Sequence, residues 1–169
     1  MTATLATPRA RVGPRRSTVV VVLVVLAAVL GMRLVAEPMR VSSGSMAPAY
    51  GEGDEVVVEK VSARSGDPRA GDVVAFHEPG SGALMIKRVI ALPGQSIGVE
   101  DGVLLVAGSP VKESYVDAGT VDSTYFGPVR VPAGSVFVMG DARAGSVDSR
   151  TFGAVPKDAI VGRVVLKLW

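Results

Sequence analysis

Residues 83–92 read Ala-Leu-Met-Ile-Lys-Arg-Val-Ile-Ala-Leu, and Pro93-Gly94 follow directly. This apolar, partly β-branched run with a turn at its end predicts a strand. Further short runs rich in Val, Ile and Leu have the same form, at 55–61, 72–77, 96–99, 103–106, 135–139 and 160–168. Short strands with turns about every 8–12 residues are typical of an all-β sheet or barrel, and helical periodicity is weak. The sequence therefore predicts a mainly β domain over residues 37–169, with a hairpin-rich excursion at 95–134.

A long apolar segment precedes the predicted β domain. Residues 17–36 contain one charge, Arg33, near their end. About 20 mostly apolar residues suffice to span a bilayer, and a terminal Arg can reach the interface. We expect a transmembrane anchor at 17–36, preceded by a disordered tail at 1–16. A buried core helix and a cleavable signal peptide are the alternatives, although Leu34 stands where cleavage after Ala36 would need a small residue.

The charges divide the chain into two parts. Residues 1–40 carry six Arg and one acidic residue, which gives +5, whereas residues 41–169 carry 12 basic and 15 acidic residues, which gives −3. Basic residues before an apolar segment keep that end of the chain cytoplasmic. We therefore expect a single-pass protein with a cytoplasmic N-terminus, a bilayer partner and an extracytoplasmic domain. The negative charge of that domain argues against a nucleic-acid partner.

Few residue types are available for catalysis. The chain has no Cys and one His, His77. These counts exclude a disulfide scaffold, a zinc–thiolate site, a Cys nucleophile and a multi-His metal site. We expect no metal and no cofactor. The candidate nucleophiles that remain are Ser, Thr and Lys.

Three polar features could carry chemistry. A Ser-rich turn, Ser42-Ser-Gly-Ser-Met-Ala-Pro48, follows the apolar segment closely, and a polar cluster occupies residues 140–150. Lys87 lies within the apolar strand at 83–92. A buried lysine is costly when charged, so it either points to water or loses its proton and can act as a base toward a Ser hydroxyl. Each feature alone has an ordinary interpretation, as a turn, a water-facing lysine and a solvated loop.

Taken together, these segments resemble the type I signal peptidases, which are membrane-anchored serine proteases with a Ser-Lys dyad. The resemblance runs from the anchor to about Val164. Five elements match in order: the apolar segment at 17–36, Ser43-Gly-Ser-Met-Ala-Pro48, Gly71-Asp-Val-Val-Ala-Phe76, Lys87-Arg-Val-Ile-Ala-Leu-Pro-Gly94 and Gly140-Asp-Ala-Arg-Ala-Gly-Ser-Val-Asp-Ser-Arg150. Each element alone is a weak signal, but the five in this order are a strong one. The resemblance implies a signal-peptidase-like, all-β catalytic domain behind one transmembrane helix.

The resemblance also assigns roles to individual residues. It implies that Ser45 is the nucleophile and Lys87 the general base. The Ser43 hydroxyl and the backbone N–H of Ser45 would form the oxyanion hole, and Ser146 would hydrogen-bond and orient the lysine amine. The remaining implied residues are the supporting ion pairs Arg88–Asp141 and Arg150–Asp148, and the substrate-pocket residues Met39, Val41, Met85 and Ile86.

The function that the resemblance implies is removal of N-terminal signal peptides from exported preproteins with Ala-x-Ala-type sites. The site of action would be the outer face of the bacterial cytoplasmic membrane. The alternative is a catalytically silent or specialised membrane-anchored β-domain that binds a narrow set of exported proteins. A self-cleaving repressor with a similar dyad is disfavoured, because we expect an anchor and no DNA-binding domain.

Four positions depart from the family pattern. Ala142 and Gly145 stand where Asn is usual, Ala49 where Thr is usual, and Gln95 where an acidic residue is usual. These departures concern the hydrogen bonding near Ser146 and the substrate preference. They leave every expected catalytic group in place.

Overall fold

A computed structural model describes residues 14–61, 67–116 and 125–169. An apolar helix, α1, spans Pro14–Val35 and therefore includes three residues that we expected in the N-terminal tail. The rest of that tail, residues 1–13, lies outside the described part. Residues Ser17–Val35 have a mean hydropathy of 2.7. By length and composition α1 is sufficient to cross a bilayer.

The body is mainly β, as the sequence predicts. Its described residues form eleven strands, numbered here in chain order: β1 Ala36–Arg40, β2 Glu55–Glu59, β3 Val73–His77, β4 Leu84–Ala91, β5 Ser96–Glu100, β6 Val103–Val106, β7 Ser109–Pro110, β8 Phe126–Arg130, β9 Ser135–Met139, β10 Val155–Pro156 and β11 Ile160–Lys167. The runs of Val and Ile became strands because branched side chains pack well on a pleated surface.

The larger sheet places β4 next to its central strand, β3. Its strand order in the described chain is β1-β2-β11-β3-β4-β9-β10, and every pairing is antiparallel. In the register of β4 with β9, Arg88 lies opposite Met139. The chain that leaves β9 at Gly140 therefore emerges beside Lys87 and Arg88.

The smaller sheet lies between β4 and β9 in the sequence. Its order is β7-β6-β5-β8. Ile97 and Leu104 from this sheet join a buried cluster with Ile90, Phe137 and Met139 from β4 and β9. This apolar contact seats the smaller sheet on the strands that carry the polar cluster. Residues 117–124 of the expected excursion lie outside the described part.

One local element differs from the expected loop at 140–150. A single helical turn, α2, spans Ser149–Phe152. The carboxylate of Asp148 caps it by accepting the backbone N–H of Arg150. Asp is a favoured N-cap because its side chain satisfies a backbone donor that the helix cannot. The polar cluster is thus closed at one end by a capped turn.

Candidate active site

The Ser-rich turn follows β1 and is anchored in the core by Met46. The Met46 side chain is 0% exposed and packs in a cluster with Val41, Val56 and Ile86. A hydrogen bond from the Ala47 N–H to the Gly44 carbonyl, 3.0 Å long, closes the turn. Burial of Met46 therefore fixes the backbone at its neighbour Ser45, which remains partly exposed.

Lys87 lies on β4 and is directed at Ser45. Its Nζ donates a hydrogen bond of 2.5 Å to the Ser45 Oγ, although the two residues are 42 positions apart. The lysine is only 4% exposed. Burial is the main cause that lowers the pKa of Lys87 below its usual range; the charge of Asp148 opposes this effect and that of Arg150 adds to it. Of the two interpretations of this lysine, the structure therefore supports the buried one.

Ser43 lies beside the same hydroxyl. The Oγ atoms of Ser43 and Ser45 are 3.1 Å apart. A hydroxyl in this position can donate to the oxyanion of an acyl group that becomes bonded to the Ser45 Oγ. The structure thus brings together Ser43, Ser45 and Lys87.

Both expected ion pairs are present next to this site. Arg88 donates two hydrogen bonds to Asp141, from Nε at 2.8 Å and from Nη2 at 2.6 Å. Arg150 likewise donates to Asp148, from Nε at 2.9 Å and from Nη2 at 3.0 Å. Both carboxylates are fully buried. Each Asp on the polar cluster is therefore neutralised by a bidentate Arg, the geometry that best matches a carboxylate.

Ser146 differs from its expected role. Its Oγ is buried and has no hydrogen-bond partner among the described residues, so the expected bond to the lysine amine is not formed. The Lys87 amine donates to the Ser45 hydroxyl, and the Ser146 Oγ lies close to Gly140, where an added Cβ would be only 2.3 Å from it.

A groove of about 630 Å³ runs past the Ser45 hydroxyl. All four expected pocket residues line it: Met39, Val41, Met85 and Ile86. The sequence did not indicate five further residues that line the groove. These are Leu84 and a wall formed by Ala142, Ala144, Gly145 and Val147. Two of these wall positions are departures from the family pattern, so those departures face the groove.

A further ion pair was not predicted. Arg143 donates to Glu113 through both terminal nitrogens, and both side chains are almost completely buried. Tyr115 donates to the same carboxylate at 2.7 Å. Arg143 belongs to the polar cluster quoted above, but Glu113 lies 30 residues away in a segment without a recognisable pattern.

These groups suffice for nucleophilic attack on an acyl carbon. A hydroxyl becomes an effective nucleophile when a neighbouring base accepts its proton, and a lysine can do so when burial keeps it neutral. Hydroxyl and backbone donors fixed beforehand stabilise the oxyanion that results. The described geometry therefore supports acyl transfer to Ser45.

Comparisons with known proteins point to one family. A family model described as "Signal peptidase, peptidase S26" matches residues 15–169. The chain is 40% identical over 149 residues to "Signal peptidase I" of Leptolyngbya laminosa, covering 83% of this chain and 72% of the relative. It is 41% identical over 159 residues to "Probable signal peptidase I-1" of Synechocystis sp., covering 87% and 80%.

A solved structure agrees with these sequence matches. The crystal structure of a signal peptidase I from Enterococcus faecalis V583 superposes with a TM-score of 0.52 at 30% sequence identity. The match covers 59% of this chain and 97% of that one.

Proposed function

The chain belongs to the signal peptidase family, peptidase S26, and from this premise we propose that Ser45 and Lys87 form its catalytic dyad. As a member it is a serine peptidase that removes signal peptides, so its substrates are exported preproteins. The observation that carries the dyad is the 2.5 Å hydrogen bond from the buried Lys87 amine to the Ser45 hydroxyl.

The proposed reaction has two halves, and Lys87 serves both. The neutral amine accepts the Ser45 proton while Oγ bonds to the scissile carbonyl carbon. Collapse of the tetrahedral intermediate breaks the C–N bond, and the ammonium of Lys87 returns the proton to the leaving amine. Lys87 then deprotonates a water molecule, which attacks the acyl carbon. Collapse of this second intermediate breaks the C–Oγ bond, and the Lys87 ammonium returns the proton to the Ser45 Oγ. Burial of the lysine supports this role because it favours the neutral amine.

Ser43 and the Ser45 backbone N–H are the proposed oxyanion donors. The negatively charged oxygen forms on the carbon that is bonded to the Ser45 Oγ. The Ser43 Oγ lies 3.1 Å from the Ser45 Oγ and is therefore close to this oxygen. A preorganised donor in this position stabilises the transition state more than the ground state.

The groove supports a preference for small residues around the cleavage site. Met39, Met85 and Ile86 line it with apolar side chains. Such a surface accepts Ala side chains and excludes charged ones. We therefore assign Ala-x-Ala-type sites as its substrates, at residues −3 to −1 of the preprotein.

We place the chain in the bacterial cytoplasmic membrane as a single-pass protein. The tail at 1–16 would be cytoplasmic, residues 17–36 would contact the bilayer, and residues 37–169 would be extracytoplasmic. The four arginines among residues 9–16 and the hydropathy of α1 support this orientation.

The dyad is tested with detergent-solubilised full-length protein and a preprotein that carries an Ala-x-Ala site. We expect Ser45→Ala and Lys87→Ala each to lower kcat/KM by at least about 10³-fold. Lys87→Arg should be equally inactive, because a guanidinium stays protonated. Matched controls are Ser109→Ala on the exposed β7 and Lys157→Ala in a surface ion pair. Cleavage that survives substitution of either dyad residue would overturn the assignment.

The orientation of the chain in the membrane is tested by cysteine labelling, which is possible because the sequence contains no cysteine. Thr4→Cys and Ser109→Cys each introduce one thiol, on opposite sides of α1 in the sequence. A membrane-impermeant maleimide should label only the Ser109→Cys protein in cells whose cytoplasmic membrane is intact. Labelling of Thr4→Cys alone would reverse the orientation.

A further inference from the structure

The smaller sheet sends one short segment to the polar cluster beside the dyad. This segment, residues 111–116, follows β7 and is tied to β6 by a hydrogen bond of 2.9 Å from the Val111 N–H to the Leu104 carbonyl. It carries Glu113 and Tyr115. Neither residue lines the substrate groove. Any effect of this segment on catalysis must therefore pass through other residues.

Glu113 binds Arg143 in a bidentate pair. The Arg143 Nη1 donates to the Glu113 Oε2 at 2.5 Å, and Nη2 donates to the other carboxylate oxygen. The side chains are 9% and 6% exposed, so water does not compete for either charge. Removing one member of such a pair leaves an uncompensated buried charge, which forces the surrounding chain to rearrange.

Tyr115 joins this pair to the Arg88–Asp141 pair. Its hydroxyl donates to the Glu113 Oε1 at 2.7 Å, and its ring centroid lies 4.1 Å from the Arg88 guanidinium carbon. A cation over an aromatic face at this distance is attracted by the ring. Two residues of segment 111–116 thus contact both of the arginines that hold the start of the polar cluster.

From Arg143 the contacts continue to the nucleophile. The Arg143 Nε donates to the Gly140 carbonyl at 3.1 Å. Two residues further along the same loop, the Ala142 N–H donates to the Ser45 carbonyl at 3.1 Å. A Cβ built at Gly140 would lie 2.5 Å from that carbonyl oxygen, so the two backbones are in close contact. A shift of Arg143 would therefore move the backbone that supports Ser45.

We propose that Glu113 and Tyr115 are positioning residues, through which the smaller sheet sets the placement of Ser45 relative to Lys87. This role rests on the proposed dyad. The smaller sheet is then part of the catalytic apparatus, although it contributes no group to the reacting atoms.

The test measures kcat and KM separately for Glu113→Gln and Tyr115→Phe in the full-length protein, together with Tm. Glu113→Gln keeps the shape of the side chain and removes its charge. Displacement of catalytic groups by about 1 Å costs about 10²-fold. We therefore expect kcat to fall about 10- to 100-fold, with a smaller change in KM because neither Glu113 nor Tyr115 lines the groove.

Tyr115→Phe keeps the ring below Arg88 and removes the bond to Glu113, so a smaller fall in kcat is expected, again with a smaller change in KM than in kcat. This milder variant carries the test if Glu113→Gln does not fold. Asp67→Asn is the matched control, because it breaks an ion pair with Lys157 on the surface. It should leave kcat, KM and Tm unchanged.

A double variant distinguishes positioning from independent effects. Glu113→Gln combined with Arg143→Gln should be no slower than Arg143→Gln alone, because both substitutions break the same contact, the Glu113–Arg143 ion pair. Multiplicative losses would overturn the proposed route through Arg143. A lower Tm with unchanged kcat per folded molecule would show a structural role only and would also overturn it. Ser45→Ala is assayed in parallel, so that failure of the dyad is recognised separately.

Discussion

Gly140 is the position where one added methyl group tests the geometry of the site most directly. It begins the loop after β9, and its backbone is held on both sides. Its N–H donates to Asp148 at 3.1 Å, and its carbonyl accepts from Arg143 at 3.1 Å. The new Cβ of Gly140→Ala would lie 2.5 Å from the Ser45 carbonyl oxygen and 2.8 Å from the Ser146 Cβ.

The size of the effect follows from these distances. An ordinary contact begins at 3.4 Å, so the Ser45 carbonyl must move away by about 0.9 Å (3.4 − 2.5) if Gly140 stays in place. Displacements near 1 Å cost about 10²-fold in rate, so we expect kcat/KM to fall about 10²-fold. Forcing a methyl group into a packed region also destabilises the fold by about 1–3 kcal/mol.

Gly162→Ala is a matched control for the steric cost. At this position on β11 the new Cβ would lie 2.3 Å from the Glu59 carbonyl oxygen and 2.7 Å from the Val58 Cγ1. None of these residues lines the groove. The control should therefore lose a similar free energy of unfolding, while its kcat/KM per folded molecule stays within about twofold of the unmodified protein.

The assay combines preprotein cleavage with denaturant unfolding of each variant, so that activity is expressed per folded molecule. If Gly140→Ala and Gly162→Ala lose stability equally and keep equal activity, the contact between Gly140 and Ser45 does not position the nucleophile. The distance argument would then be refuted.

Further predictions concern the dyad itself. The acid limb of the kcat/KM–pH profile should lie below the usual lysine pKa of about 10.4, because burial lowers the pKa of Lys87 and only the neutral amine accepts a proton; a limb at the ordinary value would contradict the assignment. Lys87→Met should abolish cleavage yet raise Tm at neutral pH, since it removes a buried amine that is costly to bury charged and costly to deprotonate below its ordinary pKa. Because the folded pKa is lowered, the unfolded chain binds more protons between the two pKa values, so the unmodified protein gains stability as pH rises. The gain in Tm from Lys87→Met should therefore shrink as pH approaches the ordinary lysine pKa, as measured by calorimetry, and a gain that is constant with pH would count against a lowered pKa at Lys87. Ser43→Ala should lower kcat by about 10²-fold, less than Ser45→Ala, because one oxyanion donor remains; equal losses would show that Ser43 has another role.

Much of the fold could be read from local patterns. The strands at 103–106 and 135–139 have the predicted bounds, and the other predicted strands differ by one or two residues at their ends. These strands combine branched apolar residues with Gly or Pro at their ends, so the signal is local. The strand Phe126–Arg130 was missed because it contains Gly and Pro, which are rare in strand interiors.

The site residues also divide into those that a local sequence motif predicts and those that only the folded structure brings together. Ser45, Lys87 and the two Arg–Asp pairs lie in segments that could be matched as motifs. Glu113 could not be found, because an ion pair with a residue 30 positions away leaves no periodic trace in the sequence. The missing bond of Ser146 depends on the space beside Gly140, which only packing determines.

The two Arg–Asp pairs have an electrostatic consequence for the base as well as a structural one. Burial lowers the pKa of Lys87, but the nearby carboxylates of Asp148 and Asp141 act in the opposite direction. Each carboxylate is bound in a bidentate pair by its own arginine, and neither forms a salt bridge with Lys87 among the described residues. The charge of Arg150 lowers the pKa of Lys87, as burial does, and so offsets part of the rise that Asp148 causes. The loop therefore holds two buried acids beside Lys87, each paired with its own arginine, and the pKa of Lys87 is still lowered because burial outweighs the two carboxylates.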